Sequence, residues 1–217
     1  MIARLILKDI SAFKITIFVK TLLLWFTFST LTFFRMSPPN GYIFHACMTI
    51  IFASSFYSFV EKYHNTEVLT CSLPVTRFLV VAARYLTTAV IAAAGIIIWL
   101  LLAYIGGLLY TNNATSFYDI YNIKILFTVL FTVTVHAAIF LPAVFRFNII
   151  GTITTFAAAF VVSLIAGVNI FQYFGNTFTP FLETDDLLRT SLLIIFMTIL
   201  LVFSVILSVS LYKKRDL

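Results

Sequence analysis

The sequence predicts an all-α polytopic membrane protein. Six transmembrane helices are expected, with an interfacial helix ahead of them and a short helix in a polar loop between spans 2 and 3. Hydrophobic residues form 62% of the 217 and charged residues only 10%, whereas soluble domains carry roughly a quarter charged residues. Apolar stretches of crossing length recur along the chain, since about 20 mostly apolar residues span a bilayer. The basic residues gather at the ends of these stretches, mostly on one side. Nothing is left over for a separately folded soluble domain, so residues 1–217 read as one membrane domain.

The elements follow in order. In residues 1–14, Ile2, Leu5, Ile6, Ile10 and Phe13 recur at helical spacing with Arg4, Lys8 and Asp9 elsewhere on the surface. This pattern suits a helix lying in the membrane interface. The first span is expected over 15–34, where Lys20 can snorkel toward water. Ser37-Pro38-Pro39-Asn40-Gly41 then breaks the chain before a second span over 42–60. A third, over 78–110, exceeds one crossing, so it should tilt or protrude. Residues 111–122 are polar and turn-like. A fourth span over 123–141 is expected to end near Pro142, and Arg146 and Asn148 mark a tight turn into a fifth over 149–168. The stretch 169–188, with Gly175, Asn176, Pro180 and an acidic cluster, looks too irregular to cross. The sixth span, 190–212, is stopped by Lys213-Lys214-Arg215.

Six spans place both termini on one side. That side holds Arg4, Lys8, Lys14, Lys20, Lys62, Arg77, Arg84, Arg146, Lys213, Lys214 and Arg215, and the other holds Arg35, Lys124 and Arg189. Eleven of the 14 basic residues on one side put that side, and both termini, in the cytoplasm. The net charge of +6 is thus a topology signal scattered over span ends. It is not a nucleic-acid footprint.

Several chemistries find no support. His45, His64 and His136 are far apart and lack partners at metal-ligand spacing. Cys47 and Cys71 suggest neither a disulfide nor a metal site. No carboxylate falls within a span, as a proton-coupled carrier would usually require. Lys20-Thr21 is preceded by Ile17-Phe18-Val19 rather than a glycine-rich turn, so no phosphate cradle exists. The chain is therefore expected to be no enzyme, to carry no cofactor, and to draw on another polypeptide if transport is active. An intramembrane enzyme fits least, because no nucleophile–base pair or metal cluster falls within the spans.

Two patterns inside the spans stand out. Gly151, Thr155, Ala159, Ser163 and Gly167 recur every four residues, a spacing of small residues that lets another helix approach closely, within the protomer or across a dimer interface. Thr128, Thr132 and His136 form a second stripe, which suits helix contacts in a bundle better than substrate binding. The 25 phenylalanines could line a path for amphipathic cargo, but lipid-facing filler accounts for most of them.

The polar stretch from Glu61 to Arg84 is the main candidate for contact with a partner in water. Asn65 or Thr66 can cap a helix there, Glu67 falls in its first turn, and Pro74 ends it. Val68, Leu69 and Leu73 would share one side. A plain solvated loop is the alternative.

In Glu61-Lys62, Glu67, Leu69, Ser72-Leu73-Pro74-Val75-Thr76-Arg77 and Arg84-Tyr85, the chain resembles the permease subunits of ABC-2 type ABC transporters. A similar Ser-Leu-Pro segment follows a short coupling helix between spans 2 and 3 in that family. The expected topology resembles theirs over the whole chain. Arg84 stands where such sequences often have Lys, which keeps the charge. The resemblance implies a bacterial plasma-membrane half-transporter that pairs with a second permease, identical or not, and with cytoplasmic ATPase subunits holding ATP and Mg. It implies coupling through Glu61, Lys62, Glu67, Leu69, Ser72, Leu73, Pro74 and Arg77, and an export role for a peptide, antimicrobial, toxin or other amphipathic cargo. A stand-alone membrane transporter or peptide-immunity protein without an ATPase is the alternative.

Overall fold

The computed structural model describes residues 40–63, 76–109, 123–175 and 184–214. Among these residues five helices form, in the order α1 (Asn40–Tyr63), α2 (Arg77–Leu109), α3 (Ile123–Arg146), α4 (Ile149–Gly175) and α5 (Thr184–Lys213). Four stretches are long and apolar enough to cross a membrane, namely Arg77–Leu101, Leu126–Arg146, Ile149–Ile170 and Thr190–Lys213. The apolar run identified in α1, Ala46–Phe56, is shorter. The interfacial helix, the first expected span and the loop helix with Glu67, Leu69, Ser72, Leu73 and Pro74 lie outside the described residues.

Three helices run beyond the spans expected from the sequence. The helix expected to stop near Pro142 continues to Arg146 with the proline inside it. The carbonyl that Pro142 leaves without a helical partner, that of Ala138, accepts Ser204 Oγ at 2.9 Å instead, so the helix survives. α4 runs past 168 to Gly175. Asn169 folds its side-chain amide back onto the Ile165 carbonyl at 2.9 Å, satisfying itself within the helix. α5 begins at Thr184, ahead of the span expected from 190, which is also where its membrane-crossing stretch starts.

Capping fixes the starts of two helices. Thr76 precedes α2 and takes the Leu79 N–H on both its carbonyl and its Oγ1, at 2.9 and 3.4 Å. Asn148 precedes α4 and accepts the Gly151 N–H on Oδ1 at 3.0 Å, an N-cap bond. Phe147 and Asn148 are the whole connection between α3 and α4, so these two helices pack as antiparallel neighbours.

Helix α3 is the hub, packed on α4, α5 and α1, while α1 also meets α2 and α4, and α2 meets α5. Hydroxyls that would be costly in a bilayer are mostly returned to their own helix. Thr87 donates to Ala83 at 2.9 Å, Thr132 to Thr128 at 2.7 Å and Thr155 to Gly151 at 2.6 Å. The outer faces are aliphatic, with Ile97, Ile98 and Leu101 on α2, Ile153, Val161 and Ile165 on α4, and Ile199, Phe203 and Ile206 on α5 all exposed. On α4 the pattern is the reverse of a soluble helix: Thr152, Ala159, Ser163 and Gly167 point inward and large aliphatic side chains point outward.

Candidate functional site

Two polar constellations stand out, one where α2 begins and α5 ends, the other between α1, α3 and α4. The first is built on Arg77, the last residue of the predicted coupling segment and the first of α2. Its guanidinium donates to the Tyr212 carbonyl at 2.8 Å and to the Lys213 carbonyl at 2.6 Å. Both carbonyls belong to the last turn of α5, where no further helical N–H is available to them. A cation there also complements the negative end of the helix dipole. The Arg77 carbon lies 5.8 Å from the Tyr212 ring centroid, within range of a cation–π contact. Tyr212 is fully buried against Phe145 of α3, with ring centroids 5.2 Å apart, and the cluster is completed by Val80 and Val81 of α2. The end of the polar loop is thereby fastened to the last turns of α5 and α3.

One level deeper, Tyr85 of α2 reaches between two serines of α5, at 2.5 Å from Ser204 Oγ and 2.8 Å from Ser208 Oγ. Arg84 beside it is buried, and its carbonyl accepts Thr88 Oγ1 at 2.9 Å. Of the remaining predicted coupling residues, Glu61 and Lys62 lie in the last turn of α1.

The second constellation centres on His136. Its Nε2 is 3.1 Å from Ser55 Oγ of α1, with donor and acceptor set by the tautomer. Its ring stacks on Phe140 at 5.4 Å and meets Phe156 of α4 edge-on at 5.2 Å. Phe59 of α1 closes this aromatic group, 5.7 Å from Phe140 and 5.2 Å from Phe156. Among the described residues, His136 Nδ1, Ser58 Oγ and Thr128 Oγ1 find no hydrogen-bond partner. Thr128, Thr132 and His136 are all fully buried, so this stripe lines a closed seam.

The stripe of small residues meets α3 of the same chain. Ala159 packs in a cluster with Ala137, Phe140, Leu141 and Val144, and a methyl added to Gly167 would run into Thr132. Ser163 is buried and Thr155 half-buried. Gly151 differs: its nearest side chains are Phe147 and Asn148 of its own turn.

Sequence reasoning missed Ser55, Phe59, Ser204, Ser208 and Tyr212. A signal for two of them existed, since Ser204 and Ser208 are one turn apart in an apolar span and Pro142 announces an orphan carbonyl elsewhere. Among the described residues, no three His, Cys, Asp or Glu side chains lie close enough to hold a metal ion.

Four helical stretches long and apolar enough to cross a membrane describe a multi-pass membrane protein. The chain matches the family described as ABC-2 family transporter protein over residues 4–213. It belongs to that family, as a membrane transport subunit. Neither a curated protein nor a solved structure gives a match.

Proposed function

We propose that the protein is the membrane-spanning half of an ATP-driven exporter. Two permease subunits, identical or not, would pair with cytoplasmic ATPase subunits that bind ATP and Mg. The observation that carries this reading is the family match over residues 4–213, whose members typically work with ATPase subunits. The chain crosses six times with both termini in the cytoplasm of a bacterial cell, as the asymmetry of basic residues suggests. The loop helix docks on the ATPase through Leu69 and Leu73, with Glu67 at the rim and Glu61, Lys62, Ser72 and Pro74 framing it. Arg77 supports this assignment physically, because it ties the end of that loop to α5 and gives the docking movement a route into the membrane. The cargo is an amphipathic molecule of the peptide, antimicrobial or toxin class.

The test is purification in mild detergent with the co-expressed ATPase. Truncating Leu69 or Leu73 at a well-packed contact should lose roughly 1–3 kcal/mol each. A variant combining Glu67→Lys, Leu69→Ala and Leu73→Ala should insert and fold yet lose the ATPase and transport. Retention of both would overturn the coupling role. Transport that follows an ion gradient with no ATPase bound would favour a stand-alone carrier.

A further inference from the structure

Pro142 interrupts α3 one turn from its end. Proline has no N–H, so the Ala138 carbonyl loses its helical partner, a costly condition in a bilayer. Ser204 Oγ of α5 fills that role at 2.9 Å. The same oxygen lies 2.5 Å from the Tyr85 hydroxyl of α2, which in turn lies 2.8 Å from Ser208 Oγ. A carbonyl can only accept, so the Ser204 proton is committed to Ala138. Tyr85 must then donate to Ser204, and Ser208 must donate to Tyr85. One directed chain from two other helices therefore closes over the weak point of α3, and each bond in it polarises the next.

The segments on either side of the proline belong to different neighbourhoods. Beyond it, Phe145 packs on Tyr212, whose carbonyl Arg77 holds. Before it, Phe140 stacks on His136, which meets Ser55 of α1. A displacement of the loop end thus arrives on one side of Pro142 and the buried seam lies on the other.

We propose that Pro142 is a joint in α3, held in its present setting by the Ser208–Tyr85–Ser204 clasp, through which movement of the Arg77–Tyr212 corner reaches the His136 seam. The transmission rests on the coupling reading of the loop; the joint itself does not. Releasing the clasp takes from the Ala138 carbonyl the hydroxyl that replaces its helical N–H, so the joint has one preferred setting and moves only under load.

Spin labels at the exposed positions Phe78 and Leu130 report the corner against the body of α3, in the full chain in nanodiscs with Cys47 and Cys71 replaced by Ala. The unmodified joint should give one narrow distance distribution. Ser204→Ala, and separately Tyr85→Phe, should broaden it or add a second distance. Pro142→Ala restores an N–H to the Ala138 carbonyl, so it should give a narrow distribution that stays narrow when Ser204→Ala is added. A narrow distribution in both clasp variants overturns the joint, as does broadening by Ser204→Ala that persists in the Pro142→Ala background. These measurements need neither ATPase nor cargo, so they stand apart from the coupling reading. With the ATPase bound and a non-hydrolysable ATP analogue, the unmodified distribution should move toward that of Ser204→Ala. A complex that binds the ATPase but shows no such movement overturns transmission through the joint.

Discussion

Gly167→Ala is a stringent test of how α4 seats on α3. The added methyl would fall well inside contact distance of Thr132 Oγ1 and stand 3.3 and 3.4 Å from Thr132 Cβ and Cγ2. Thr132 cannot easily give way. It is fully buried, its hydroxyl donates to the Thr128 carbonyl at 2.7 Å, and a β-branched side chain in a helix has few rotamers to choose from. Overpacking of this kind costs roughly 1–3 kcal/mol. Alanine recovers about 1 kcal/mol of helix propensity over glycine, so the net loss should fall between about 0 and 2 kcal/mol. The cycle with Thr132→Ala separates the two effects. Without the threonine hydroxyl and methyl, Gly167→Ala should become neutral or stabilising by up to about 1 kcal/mol, leaving a coupling of roughly 1–3 kcal/mol between the sites. Unfolding in mixed detergent–SDS micelles, followed by tryptophan fluorescence with buried Trp99 as a reporter, measures all four corners of the cycle. A coupling below about 0.5 kcal/mol would refute the close approach of Gly167 and Thr132.

Other expectations are independent of it. Arg77→Ala removes two charge-assisted bonds to the end of α5, but the side chain is exposed, so the stability loss should be about 1 kcal/mol rather than the sum of two charged bonds. Arg77→Lys, a point charge without the fork, should recover part of it in the same unfolding assay. Ser55→Ala strands His136 Nε2 and should cost roughly 1–3 kcal/mol, whereas adding His136→Phe should recover most of that loss; a double variant as unstable as the sum of the singles would contradict the pairing. A single cysteine at position 66, in a chain lacking Cys47 and Cys71, should resist an impermeant thiol reagent applied outside intact cells. Labelling there would invert the proposed orientation.

The sequence by itself determined the solvent and much of the helical frame, because both depend on composition and on local rules. A chain with 62% hydrophobic and 10% charged residues has nowhere to fold but a bilayer, and there its backbone must pair within itself. The helix from Arg77 and the turn at Phe147–Asn148 follow from such local signals. The end of α3 did not, because Pro142 reads as a stop when only its own helix is considered. Tertiary structure reversed that reading by bringing Ser204, 62 residues further along, to the carbonyl the proline frees. The same limit applies to Arg77, whose position in a polar segment suggested a contact with a partner in water. Its guanidinium also reaches the carbonyls of residues 212 and 213, a contact within the chain that the polar pattern does not announce. Small residues every fourth position announced a close helix contact, yet their spacing carries no address. That α3 of the same chain receives Ala159 and Gly167 was decided by a two-residue turn that leaves these helices no other first neighbour. Periodicity records which face of a helix is special; only packing decides what that face meets, because the partner atoms lie far away in sequence.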